Sequence, residues 1–149
     1  MGLRRATSGD IDDLVRLRGV MFDAMGVDTG GDWRAPCADV LRRCLADGTM
    51  AAYVVEEDGA VVACGVGMLA QRLPSPRNPS GRYGYVQSMA TDEHARRRGH
   101  AHAIFAALMD WFGDEGVVSV GLHATDAGAR VYRSFGFSDP RNPELTWHG

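Results

Sequence analysis

The chain has 149 residues, a length that suits one domain with a sizeable hydrophobic core. Apolar residues make up 45% of it and charged residues 23%, as in ordinary globular proteins. Because the net charge is −3, any surface that attracts an anion must be local, and we expect no nucleic-acid partner. The sequence shows no apolar run of membrane-spanning length and no apolar leader. We therefore expect a cytoplasmic protein without a membrane partner, folded as one domain over residues 1–149.

The cysteines and the basic residues limit the kinds of site that the chain can form. The three cysteines are odd in number and lack the spacing of a zinc site, so we expect free thiols. All 16 basic residues are arginine, which excludes Schiff-base or general-base chemistry on a lysine. His94, His100 and His102 are close in sequence, but the last two would face apart on a helix, and we expect no metal site.

Hydrophobic periodicity and turn residues predict five elements in the first half of the chain. They are a strand at residues 3–6, a helix capped by Thr7 or Ser8, a helix from about Pro36 to Gly48, and strands at residues 50–55 and 61–69. The acidic segment between these two strands, Glu56-Glu57-Asp58-Gly59, is typical of a hairpin turn.

The second half begins with a turn-rich segment, residues 71–82, which we expect to be a mobile loop. The elements predicted after it are a strand at 84–91, a helix from about residue 101 to 112, a central strand at 117–122, a helix at 126–135 and one or two short strands within 137–147. The order βααβββαβαβ predicts an α/β fold of the mixed α+β kind, with a central mixed sheet and helices on both faces.

A basic turn that contains a glycine precedes the helix predicted from residue 101. Backbone N–H groups at a helix start have no partner within the helix, and the helix dipole adds positive charge there. A glycine lets a ligand approach the backbone closely, and the arginines add charge. We therefore interpret the turn as a phosphate site, with a solvated basic helix start as the alternative. Its residues, through the first turn of the helix, are Arg96, Arg97, Arg98, Gly99, His100, Ala101 and His102.

This turn resembles motif A of the GNAT superfamily of N-acetyltransferases. The pattern Arg-x-x-Gly-x-Ala falls on Arg96, Gly99 and Ala101, after a strand and before an amphipathic helix. A second motif, 33 positions on, is similar to the family's helix with a tyrosine and a downstream Gly-Phe. It consists of Gly128, Val131, Tyr132, Gly136 and Phe137. The resemblance covers nearly the whole chain and implies a GNAT-like fold.

The resemblance implies acetyl-CoA as cosubstrate, without a metal. The family binds the pyrophosphate at the turn, here residues 96–102, and pantetheine on the exposed backbone of the preceding strand, here Met89, Ala90 and Thr91. That strand separates from the next parallel strand in the family. Thr125 stands where the family often has an asparagine that contacts pantetheine, and a hydroxyl can replace only part of an amide's hydrogen bonding.

The resemblance also assigns Tyr132 as the general acid that protonates the departing thiolate. The family's strand glutamate, often the base, is absent, since Tyr85 and Gln87 occupy this strand. His123 is one candidate base, while a histidine that merely ends a strand, a water relay and an amine that arrives neutral stay open.

The family builds its acceptor pocket from the first two helices and their connection, which here contain Phe22 and Trp33. Tyr85, Gln87 and His123 complete the candidate acceptor site, and core packing is the alternative for the two aromatic residues. We expect acetyl transfer to a primary amine of an unidentified small molecule or peptide, by direct attack in a ternary complex. A non-catalytic acyl-CoA-binding module, or a fold relative without a CoA site, is the alternative, and a homodimer is compatible with either.

Overall fold

A computed structural model describes residues 2–149 and shows a mixed five-stranded sheet with four α-helices. The elements are β1 (Gly2–Arg5), α1 (Ile11–Ala24), α2 (Arg34–Asp47), β2 (Met50–Glu57), β3 (Ala60–Gln71), β4 (Arg82–Thr91), α3 (His100–Asp114), β5 (Val120–Leu122) and α4 (Asp126–Ser134). The strands lie in the order β1-β2-β3-β4-β5. The first four are antiparallel, and β5 is parallel to β4. The predicted α/β class is confirmed.

Local sequence signals account for several element boundaries. The predicted hairpin turn joins β2 to β3 through Asp58 and Gly59, both with a positive φ, as a tight hairpin turn requires. Thr7 and Asp10 form a capping box at a single 3-10 turn that leads into α1. Gly48 ends α2 in the left-handed conformation, as predicted.

The sheet has helices on both faces, as predicted. Successive residues of β2 alternate between two apolar clusters, so that Ala51 and Val55 pack with α3 while Ala52 and Val54 pack with α1 and α2. On the α3 side, a Cβ added to Gly84 would lie 2.6 Å from the ring of Phe112. The absence of a side chain at this glycine therefore allows α3 to approach the sheet closely.

The predicted central strand at residues 117–122 is wrong in both length and position. Only Val120–Leu122 form β5, and this strand lies at the edge of the sheet, beside β4. The apolar run is not one strand, because its first residue packs against the end of α3. Val117 is buried under the end of α3, where its amide donates to the carbonyl of Phe112 at 3.0 Å, whereas Val118 is exposed.

The short strands predicted within residues 137–147 are also wrong, because residues 135–149 contain no helix or strand. Pro140 and Pro143 have no N–H group to donate to a ladder, and they interrupt the segment predicted to form strands. Leu145 and Trp147 are exposed. Over residues 2–149, no helix is both long enough and apolar enough to cross a membrane.

Candidate active site

β4 and β5 begin side by side and then part. Their last paired residues are Val86 and Leu122, where β5 ends, but β4 continues for five further residues. Met89, Ala90 and Thr91 lie in this extension. They pair with β3 along one edge, and no described strand covers the other edge. The pairing of the two strands therefore ends where the resemblance implies a separation, and we call the region between this uncovered edge of β4 and the chain after β5 the gap.

The basic turn follows this extension directly. Arg97 and Gly99 both have left-handed φ values, 65° and 81°, and α3 begins at His100. No side chain caps this helix, and a Cβ on Gly99 would meet no protein atom within 4 Å. The amides of the first turn thus have no side-chain acceptor, which is the condition for a phosphate site at a helix start. Within residues 2–149, the Arg97 side chain has no ion-pair partner.

The other basic side chains of the turn are already engaged. Glu57, on β2, accepts hydrogen bonds from Arg98 and from His100, whose Nε2 lies 2.6 Å from Glu57 Oε2. The His100 hydrogen bond, with the Arg98 charge, lowers the pKa of Glu57. Arg96 Nε donates to the carbonyl of Thr91 at 3.2 Å. These contacts fix the turn against β2 and β4, so the backbone amides are its main free donors.

Two further residues predicted to bind the cofactor have structural contacts. The Thr125 hydroxyl caps α4 and accepts a hydrogen bond from the amide of Gly128 at 3.2 Å. The His102 ring packs against Phe135, with ring centroids 4.8 Å apart. Both residues thus help to hold α4 in place beside the gap.

Tyr132 lies on α4 and packs against the core cluster on the α3 side of the sheet. Its ring packs against Phe105 of α3 with a centroid separation of 5.0 Å. Burial raises the pKa of the phenol. Its hydroxyl has no hydrogen-bond partner among residues 2–149, yet it is not a buried unsatisfied group, so solvent or a ligand reaches it. A protonated, accessible phenol is suited to donate a proton.

A chain of polar side chains crosses the start of the gap. The Tyr85 hydroxyl on β4 is hydrogen bonded to Nδ1 of His123, which follows β5. On the other side of the ring, His123 Nε2 lies 3.7 Å from Glu144 Oε2. Burial and the nearby Glu144 raise the pKa of Tyr85. The Tyr85 hydroxyl can therefore pass a proton to Nδ1, and the Glu144 carboxylate faces the opposite ring nitrogen.

Phe22 and Trp33 meet edge to face, with centroids 5.9 Å apart. Together with Gln87 they line a cavity of about 440 Å³ between α1, α2 and the sheet. The structure thus brings three of the five predicted acceptor residues together, while Tyr85 and His123 lie outside this lining. The other lining residues are Leu14, Arg18, Pro36, Cys37, Val40, Leu41, Met50, Val66 and Ser88.

Sequence reasoning missed Arg18, Glu57 and Glu144. A local signal existed for Arg18, because a spacing of four residues places it on the helix face of Phe22. Its guanidinium lies 4.9 Å from the Phe22 ring centroid, and Nη1 donates to the Gln87 carbonyl at 3.0 Å. Glu57 and Glu144 reach the site through long-range contacts, and no local pattern announces such contacts.

A protein-family model described as the Acetyltransferase (GNAT) family matches residues 19–137. The chain therefore belongs to the GNAT family of acetyltransferases, which implies an acyltransferase. A search among curated proteins finds no match.

Solved structures agree with this family and with the fold. A predicted acetyltransferase from Clostridium acetobutylicum, solved with acetyl-CoA, is 25% identical with a TM-score of 0.90 over 97% of this chain and 95% of its own. A GCN5-related N-acetyltransferase from Ralstonia eutropha is 29% identical, with a TM-score of 0.88 over 99% of each chain. At 19% identity, glucosamine-6-phosphate N-acetyltransferase from Arabidopsis thaliana shares the fold, with a TM-score of 0.77 over 99% of this chain and 98% of its own.

Proposed function

We propose that this protein is an N-acetyltransferase that moves the acetyl group of acetyl-CoA to a primary amine in a ternary complex. The observation that carries the proposal is the gap between β4 and β5, which opens directly beside an uncapped helix start with left-handed Arg97 and Gly99. The relative from Clostridium acetobutylicum, solved with acetyl-CoA, supports the choice of ligand.

Binding would use mainly backbone groups. The amides of the turn and of the first turn of α3 would hold the pyrophosphate, with Arg97 free to add charge. The unpaired edge of Met89, Ala90 and Thr91 would hydrogen-bond pantetheine as an added strand does. Acetyl-CoA supplies an activated thioester, and the protein supplies its position in the gap.

In the reaction, the amine nitrogen attacks the thioester carbonyl carbon, so that a C–N bond forms and the C–S bond breaks. Tyr132 donates its proton to the departing sulfur, and its raised pKa keeps that proton in place at neutral pH. The amine gives its proton to the Tyr85 hydroxyl, which passes its own proton to Nδ1 of His123, so that the imidazolium formed faces Glu144. Proton loss through water is the alternative route, because His123 is largely exposed.

The first experiment is thermal unfolding with and without acetyl-CoA, on wild type, Gly99→Glu and Gly116→Glu. Ligand at about 100 times Kd adds about 2.7 kcal/mol to the stability of a protein that binds it. We expect the shift in wild type and its loss in Gly99→Glu, which puts bulk and negative charge at the phosphate site. Gly116 is a matched control, since it has a positive φ and open space at the opposite end of α3. No shift in wild type, or an equal shift in Gly99→Glu, would contradict the proposed site.

A second measurement separates catalysis from simple binding. Thiol release from acetyl-CoA is followed with a panel of amines, and we expect release that depends on the amine. Normal acetyl-CoA binding without release for any amine would favour the non-catalytic acyl-CoA-binding module instead.

A further inference from the structure

We propose that the acceptor is a free α-amino acid with a large apolar side chain, and that Arg18 binds its carboxylate. The inference rests on the proposed function, because it names the amine that the transferase would acetylate. It is carried by the cavity between α1, α2 and the sheet, whose walls and charge select a particular kind of molecule.

The walls of this cavity are mostly apolar. Phe22 and Trp33 form one side, and Leu41, Met50 and Val66 contribute aliphatic surface. A volume of about 440 Å³ lies within the range of small-molecule sites. Such walls favour an apolar or aromatic group and offer few partners to a sugar or another polyhydroxyl compound.

The charge in the cavity is positive. Arg18 is the one charged residue among those that line it, and no aspartate or glutamate lines it. Across residues 2–149, the Arg18 guanidinium has no carboxylate within ion-pair distance. It uses one N–H on the Gln87 carbonyl, and its other four N–H groups have no hydrogen-bond partner within residues 2–149. A guanidinium beside apolar walls binds a carboxylate well and repels a second cation.

The position of Arg18 next to the gap means that the carboxylate and the amine of the acceptor must be close together. Its hydrogen bond reaches Gln87, the first residue of β4 beyond the last pair with β5. That is the point at which the gap for the thioester opens. A carboxylate held by Arg18 and an amine directed into the gap would thus be close together, as they are on one α-carbon. The apolar side chain would then occupy the cavity.

The test compares L-phenylalanine, L-phenylalaninamide, glycine and glucosamine 6-phosphate as acceptors, by the kcat/KM of thiol release. Phenylalaninamide lacks the carboxylate, glycine lacks the apolar group, and the sugar phosphate carries an anion on a polar body. At equal concentrations of neutral amine, we expect phenylalanine to exceed phenylalaninamide by about tenfold or more, the size expected for one charge-assisted interaction. It should exceed glycine by about as much through apolar contact, and the sugar phosphate because the walls offer few partners to its hydroxyls. A faster reaction with phenylalaninamide or with the sugar phosphate would overturn the inference.

Arg18→Gln should remove the preference for phenylalanine over phenylalaninamide, whereas Arg18→Lys, which keeps the charge, should retain part of it. Arg42→Gln is the matched control, because Arg42 lies on exposed surface of α2 and pairs with Asp39. Its preference should stay at the wild-type value. An unchanged preference in a folded Arg18→Gln protein would contradict the role of Arg18.

Binding of phenylalanine to the protein loaded with CoA, measured by calorimetry, makes the two proposals separable. Loss of phenylalanine binding in Arg18→Gln but not in Arg42→Gln supports the inference even where no thiol is released, in which case only the proposed catalysis fails. Acetylation of other amines, with no phenylalanine binding, leaves the proposed function intact and overturns the inference alone.

Discussion

The two faces of the sheet are packed differently. On the α3 face, a Cβ on Gly65 would lie 2.5 Å from Ile104 Cγ2, so helix and sheet are in direct contact. On the α1 and α2 face, a cavity of about 440 Å³ remains between the layers. The α3 face, which we call the closed face, carries the helix that follows the basic turn proposed to hold the pyrophosphate. The α1 and α2 face, the open face, leaves room for a second molecule. One sheet thereby packs closely against a helix on one face and leaves a cavity for a ligand on the other.

On the open face, charged side chains help to hold α1 against the rest of the protein. Arg16 on α1 donates to Asp92 at 2.9 Å and to the carbonyl of Val61 at 2.9 Å, and Arg4 pairs with Asp10 at 2.8 Å. These contacts hold the first half of α1 and the turn before it. The cavity lies beside Arg18 and Phe22 in the second half of α1 and beside Leu14 in the first. Charged contacts therefore hold the start of the helix, and its packing against the sheet is incomplete farther along.

The largest expected effect concerns the general acid proposed on the closed face, Tyr132. Tyr132→Phe should lower kcat about 100-fold, within the range for loss of a general acid, with little change in acetyl-CoA affinity. Steady-state kinetics and calorimetric binding measure the two effects separately. Tyr53→Phe is the control, because Tyr53 is a partly buried tyrosine packed against the same cluster. Near-normal turnover in Tyr132→Phe would remove the assigned role.

The next prediction contrasts the two faces at adjacent residues of β3. Gly65→Ala and Val66→Ile each add one carbon, but Gly65 faces α3 whereas Val66 lines the cavity. We expect Gly65→Ala to cost about 2 kcal/mol of stability through overpacking, and Val66→Ile to cost less than about 1 kcal/mol. Urea unfolding curves give both values. Equal costs would show that the faces do not differ in packing.

The sequence predicted best those features that depend on neighbouring residues. An Asp-Gly pair between two strand-like runs, here Asp58 and Gly59, predicts a tight hairpin turn. A glycine before an apolar helical stripe, here Gly99, marks the start of a helix. Helix and strand periodicity also placed α1 and β4 correctly. Such features need no knowledge of the rest of the fold.

Features that depend on distant residues could not be predicted in this way. Arg98 and His100 were expected to face phosphate, but their side chains contact Glu57, more than 40 residues earlier. Val117 was assigned to a strand because its burial under α3 is invisible in a local apolar run. In both cases the sequence pattern specified the residue type, and tertiary contacts decided its partner.

A smaller effect is expected from the wall of the cavity. Phe22→Ala should raise the acceptor KM about tenfold, because a partly buried aromatic side chain contributes about 1.5 kcal/mol of apolar contact. Acetyl-CoA affinity should not change, since the basic turn proposed to hold the pyrophosphate leads into α3, on the other face of the sheet. Met25→Ala, at the exposed end of α1, is the control. A change in acetyl-CoA affinity with an unchanged acceptor KM would mean that the two sites are not divided between the faces as described.

The smallest effect concerns the charged attachment of α1. The hydrogen bond from Arg4 lowers the pKa of Asp10 to about 2, so the carboxylate stabilises the fold fully above about pH 4 and loses this effect as the pH falls through about 2. Asp10→Asn should therefore cost about 1 kcal/mol at pH 7, a modest value because Arg4 is partly exposed and water screens the pair. The difference from wild type should shrink steadily on acidification, whereas Asp39→Asn, at an exposed pair, should show almost none at either pH. A difference as large at pH 2 as at pH 7 would mean that Asp10 acts through its capping contacts with Thr7, and that charge does not hold this helix on the open face.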